Sequence, residues 1–147
     1  MTRPLLEVFC DGSGAERVGR PGGWAFVIVH GDEVLRERSG GEAKTTCLVM
    51  ELEAARAGLD EVVAAGWHRS HQVRLISDCR VALEVADGVF TPRPAKYAAL
   101  TEALRALALT SGATTRWVRG HGGHRWNDHV DALARAARLA VTAHGRR

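Results

Sequence analysis

Leu5-Leu6-Glu7-Val8-Phe9-Cys10-Asp11-Gly12-Ser13-Gly14 is the stretch on which the reading of the chain turns. Leu5 to Cys10 is a short, largely apolar run bounded by turn formers, which predicts a buried strand. Asp11 stands at its end, where the chain enters Asp-Gly-Ser-Gly. Downstream, Pro21-Gly22-Gly23 opens a second strand through Trp24-Ala25-Phe26-Val27-Ile28-Val29, and His30-Gly31-Asp32-Glu33 predicts a hairpin turn into a third strand, Val34 to Gly40. The first forty residues thus predict an antiparallel meander with Asp11 at the end of its first strand.

From about Thr46 the apolar period lengthens from two to near 3.6. Leu48, Leu52, Ala55, Leu59 and Val62 or Val63 share one helix face, which Gly66 closes. Val73 to Ser77 predicts a strand ending at Asp78, and Cys79 to Ala86 a short helix. Residues 87–95, with Gly88, Pro92 and Pro94, predict a connector. Tyr97 to Leu109 predicts a helix with Leu100 and Leu104 inward. A fifth strand, Thr114 to Val118, leads into Gly120-His121-Gly122-Gly123-His124, and a last helix turns Val130, Leu133, Ala134, Ala137 and Val141 inward. The expected architecture is α/β, one mixed five-stranded sheet flanked by helices. Without repeats or a low-complexity linker, residues 1–147 are expected to form a single domain whose tail, 143–147, frays.

Composition narrows the class. A chain of 147 residues that is 46% hydrophobic supports one core and argues against disorder. A net charge of +3 and a pI near 9.1 suit a polyanionic partner without specifying one. No stretch is apolar enough to span a membrane, and Met1-Thr2-Arg3-Pro4 does not begin a secretory signal, so a cytoplasmic protein is expected. Cys10, Cys47 and Cys79 are odd in number and form no CxxC pair, which speaks against a disulfide framework or a zinc site.

Four carboxylates stand out: Asp11, Glu51, Asp78 and Asp131. Asp11 and Asp78 follow apolar strands, the end of an open α/β sheet where ligands bind. On a helical wheel Glu51 lies about 20° from Val62, at the edge of the buried stripe. Asp131 is flanked by Val130 and Leu133. Each has an ordinary alternative: a turn former for Asp11, a helix N-cap for Asp78, a rim charge for Glu51 and an ion pair with Arg135 for Asp131. Together they suggest a shared pocket, because clustered carboxylates need cations, and oxygen-only donors suit Mg2+ or Mn2+.

The motifs resemble those of the type 1 ribonuclease H family, in its bacterial-like form. Asp11-Gly12-Ser13 resembles the first-strand motif, Pro21-Gly22-Gly23-Trp24 the segment after it, and Met50-Glu51-Leu52 after Thr45-Thr46 the helix bearing the second acid. Ser77-Asp78-Cys79 stands where the family usually has Thr-Asp-Ser. The strongest match is Trp117-Val118-Arg119-Gly120-His121-Gly122-Gly123-His124, followed by Asn127 and Asp131-Ala132-Leu133-Ala134. The resemblance spans nearly the whole chain. It implies the ribonuclease-H-like fold and metal-assisted hydrolysis of the RNA strand of RNA–DNA hybrids, leaving 5′-phosphate and 3′-hydroxyl ends. Asp11, Glu51, Asp78 and Asp131 would hold two divalent ions, with Mg2+ natural and Mn2+ a substitute. His121 would move protons, which an imidazole suits, while Gly12, Ser13, Thr46, Cys79 and Asn127 would meet substrate. A monomer without an obligate protein partner is expected. The same fold and acids also serve exonucleases and strand-transfer enzymes, and a noncatalytic hybrid-binding module would bind without turnover.

The chain departs from the family around that core. Gly14-Ala15-Glu16-Arg17-Val18-Gly19-Arg20 lacks the usual first-loop asparagine, and Cys47 and Leu48 replace a pair of asparagines that read the minor groove. Residues 87–96 are too short for the basic, tryptophan-bearing protrusion of some members. Arg93, Lys96 and Lys44 remain as candidate backbone contacts, which implies weaker, salt-sensitive binding.

Overall fold

The computed structural model describes residues 2–17 and 19–144; residues 145–147 of the expected frayed tail, and Val18 of the first loop, lie outside the described residues. Strands β1 (Leu5–Ser13), β2 (Arg20–His30) and β3 (Glu33–Thr45) form the meander. Helix α1 (Cys47–Ala65), strand β4 (Gln72–Ser77), α2 (Arg80–Ala86), α3 (Ala98–Ser111), β5 (Thr114–Trp117) and α4 (Arg125–His144) follow. The sheet order is β3-β2-β1-β4-β5. β1 pairs antiparallel with β2, and β2 with β3, whereas β1 and β4, and β4 and β5, run parallel. The α/β architecture with a mixed five-stranded sheet is as expected.

Alternation along β1 divides the core between two faces. Leu6, Val8 and Cys10 join Phe26, Ile28 and Leu75 beneath α1, α2 and α3, where Leu52, Ala55, Leu59, Leu83 and Leu104 are buried. Phe9 points to the other face with Val27, Val29 and Ile76, and α4 covers them with Val130 and Ala134. Each fully buried Leu, Val or Phe contributes roughly 1.5–3 kcal/mol by leaving water, so both faces anchor the strand that carries Asp11.

Helix ends follow local chemistry. Thr46 Oγ1 accepts the Val49 N–H at 3.2 Å and caps α1, and Gly66 ends it in the left-handed region at φ 74°. Two strands, β1 and β3, run three or more residues past their expected ends. β1 continues through Asp11 and Gly12 to Ser13 because they pair with Ala25, Trp24 and Gly23. β3 continues to Thr45 through Gly41, Glu42 and Lys44, an exposed polar stretch without an apolar period, held by its ladder to β2. No described helix is long and apolar enough to cross a membrane.

Candidate active site

The β1–β4 register brings the first two acids together. Phe9 and Ile76 are the last paired residues of these parallel strands. Two residues on, at the same period, stand Asp11 and Asp78, on the face that buries Phe9 and Ile76. Glu51 comes from the opposite side, on the first turns of α1. It reaches the strand ends because Gly12 has no side chain: a Cβ there would lie 2.4 Å from the Glu51 backbone nitrogen and 2.6 Å from the Met50 carbonyl carbon. Ligand oxygens of Asp11, Glu51 and Asp78 all lie within 4.8 Å of one another.

Burial makes this cluster electrostatically costly. Asp11 and Glu51 are only 3% and 6% exposed. Burial is the main cause that pushes the Asp11 carboxyl up to about 7; a hydrogen bond with Glu51 opposes the shift, and the charges of Asp78 and Asp131 add to it. Glu51 is held well above the usual carboxylate range by burial first and by Asp11 next. Its Oε2 is buried without a hydrogen-bond partner. A hard divalent cation fits these residues: the donors are all carboxylate oxygens, they converge, and one buried oxygen has nothing else to bind.

Asp131 is not part of that three-residue convergence. It is half-buried on α4, where its Oδ2 accepts from Arg135 at 3.1 Å, the ion pair that the spacing predicts. Its charge adds to the upward shift of the Asp11 carboxyl. Asn127, one turn earlier and 1% exposed, points its Nδ2 at Asp78 Oδ2 at 3.5 Å, while its Oδ1 is buried without a partner.

The glycine-rich loop meets the cluster at Gly120. A Cβ at that residue would stand 2.9 Å from Asp78 Oδ2, so glycine is needed there for close approach. The sequence gave no sign of this contact. His121 is exposed at the loop tip with a left-handed φ of 54°, an uncommon conformation for a non-glycine residue. His124 packs its ring 5.1 Å from that of Phe9, and its carbonyl accepts the Asp128 N–H at the start of α4. Its contacts are those of a loop anchor.

Beside Glu51 lies a cavity of about 320 Å3 lined by Glu16, Thr46, Cys47, Leu48, Cys79, Val81 and Tyr97 as well. Cys47 and Leu48, the residues that replace the asparagines, therefore face this cavity together with Thr46 and Cys79. Sequence reasoning missed Val81 and Tyr97 as its other walls; both look like helix packing positions until α1 and α2 are placed side by side. Burial pushes the Cys47 thiol up to about 11 and raises that of Cys79, so both are protonated at neutral pH.

Buried acids over the ends of two parallel strands, with oxygen donors alone, form a group that could hold a divalent cation on a mixed sheet. Comparison with known proteins narrows the class. The RNase H family model matches residues 3–138. Ribonuclease H of Phenylobacterium zucineum is 33% identical over 146 residues, covering 90% of this chain and 89% of its own, and that of Rhizobium johnstonii is 35% identical over 144 residues, covering 88% and 89%. Among solved structures, the N-terminal RNase H domain of a Mycobacterium tuberculosis protein superposes with a TM-score of 0.82 at 23% identity, covering 97% of this chain and 99% of that one. LC11-RNase H1, isolated from compost by a metagenomic approach and solved in complex with an RNA/DNA hybrid, gives a TM-score of 0.77 at 18% identity, covering 93% and 99%. The chain belongs to the ribonuclease H family, whose members are metal-dependent endoribonucleases.

Proposed function

We propose that this protein hydrolyses the RNA strand of RNA–DNA hybrids as an endonuclease, using two divalent ions and leaving 5′-phosphate and 3′-hydroxyl ends. The observation that carries this reading is the convergence of the Asp11, Glu51 and Asp78 oxygens within 4.8 Å. The relative solved with an RNA/DNA hybrid supports the substrate class. Asp11, Glu51 and Asp78 would hold the ions, with Asp131 contributing from the rim. Mg2+ is the natural occupant and Mn2+ its substitute, since both prefer oxygen donors. When bound, such ions supply a water of lowered pKa and positive charge for the leaving oxygen.

The protein's own groups then have separate tasks. Exposed at its loop tip, His121 exchanges protons with solvent near the reacting phosphate. Asn127 steadies Asp78, and Gly12, Ser13, Thr46 and Cys79 line the path of the nucleic acid. Thr46 already accepts a helix-capping bond, so its hydroxyl has donor capacity left for a phosphate oxygen. The protein acts as a single-domain monomer in the cytoplasm.

The test compares a uniform RNA–DNA hybrid, a DNA duplex with one ribonucleotide, duplex DNA and duplex RNA, each with Mg2+ and with Mn2+, mapping both product ends. The hybrid is expected to be cut, with the stated termini. Preference for duplex DNA or duplex RNA, or metal-independent cleavage, would reject the reading. His121→Ala is expected to lower kcat by roughly a hundredfold or less, at the low end of what a positioned acid–base group supplies, and to alter the pH profile. An unchanged rate across pH would remove its role.

A further inference from the structure

We infer that Trp117 is a positioning residue for Asp78, acting through the aspartate's main chain, and that Arg80 holds it in place. The inference rests on the nuclease reading above. The β4–β5 ladder ends where Ser77 pairs with Trp117, and Val118 N–H donates to Ser77 O at 3.0 Å. Asp78 is the next residue, beyond the reach of that ladder. Its carbonyl oxygen instead accepts the Trp117 indole Nε1–H at 2.9 Å. A side chain thus continues the strand pairing by one residue, at the residue whose carboxylate enters the acidic cluster.

The ring that makes this bond is 40% exposed. The Arg80 guanidinium lies 3.9 Å from the ring centroid, stacked on the face of the indole. Arg80 begins α2 two residues after Asp78, so the indole is fixed at both ends to the segment that carries the aspartate. Contacts on the carboxylate itself are weaker, a 3.5 Å approach from Asn127 Nδ2 and the close passage of Gly120. Main-chain placement therefore governs where the Asp78 oxygens stand, and catalytic geometry tolerates little error.

The test uses Trp117→Phe, which keeps an aromatic face for Arg80 but removes the donor, and Arg80→Ala, a surface change that keeps the donor but uncovers the ring. Trp117→Phe is expected to lower kcat roughly tenfold, the scale of a lost hydrogen bond combined with a small misplacement. KM for the hybrid should stay within about twofold of the parent, a margin below one hydrogen bond, and Mn2+ affinity measured by calorimetry without substrate should weaken. Arg80→Ala is expected to do the same more mildly. If Trp117→Phe does not fold, as judged by circular dichroism, Arg80→Ala decides. Parental kcat and Mn2+ affinity in the folded variants would overturn the inference. So would a rise in KM alone, which marks a substrate contact instead. Calorimetry with Mn2+ reads Asp78 placement whether or not the parent cuts the hybrid, so failure of the substrate assignment is separately visible.

Discussion

Asp11→Asn is expected to abolish hybrid cleavage and, in metal-free buffer, to make the protein more stable. Both effects follow from burying a carboxyl whose pKa rises from 3.8 to about 7. Because the folded-state value is raised, the fold favours the protonated acid. That contribution is fully present below about pH 3.8 and is lost as pH rises through about 7. By pH 8 the ionised Asp11 costs the metal-free fold on the order of 2–4 kcal/mol, with Glu51 shifted in the same direction. Asparagine copies the shape of the neutral acid and removes the penalty, and with it the charge that binds a cation. Thermal melts in EDTA from pH 4 to 8 should show the parent losing stability with pH and the variant losing less. A chain of this size moves by roughly 2–4 °C per kcal/mol. Mg2+ should raise the parent's Tm and leave that of Asp11→Asn nearly unchanged. Residual cleavage by the purified variant, or a lower metal-free Tm, would contradict this account of the cluster.

Gly12→Ala is the second substitution with a large expected effect, and it couples fold to site. Its methyl would meet backbone atoms of Met50 and Glu51 at 2.4–2.9 Å, and backbone cannot swing aside as a flexible side chain can. Either β1 or the start of α1 must move. Overpacking of this kind costs about 1–3 kcal/mol or somewhat more, and displacing Glu51 by about 1 Å lowers turnover roughly a hundredfold. Urea unfolding should show a reduced midpoint with an unchanged slope, and kcat at saturating metal should fall in the folded protein. Parental kcat in a correctly folded Gly12→Ala would mean that the approach of α1 to β1 is not what places Glu51.

Much of this was legible in the sequence for physical reasons. The apolar run before Asp11 and the shift to a helical period at Thr46 announce the meander and α1, and Thr46 and Gly66 mark that helix at both ends. Less legible was the full length of β3. Gly41, Glu42 and Lys44 have no strand-like alternation; Gly41 and Glu42 pair with β2, and α4 packs closely on Gly41. At the site, Asp11 and Asp78 could be read as strand-end acids, but their proximity depends on the parallel register, which no local pattern encodes. Asp131 carried two readings, and the ion pair with Arg135 is the one that the structure contains. The indole–carbonyl bond of Trp117 had no sequence signal beyond a tryptophan at the end of a short strand.

The pairing of β1 with β4 has a kinetic consequence. Leu5 meets Gln72 across most of the intervening meander and α1, so this seam is a long-range contact with a slow, entropically costly closure. The β1–β2 and β2–β3 hairpins can form from neighbouring segments, but they bring no second strand-end aspartate to Asp11. A partly folded chain in which only the hairpins have formed therefore has no assembled acidic centre. Assembly of the paired strand-end acids waits on closure of the central seam, not on the hairpins that precede it.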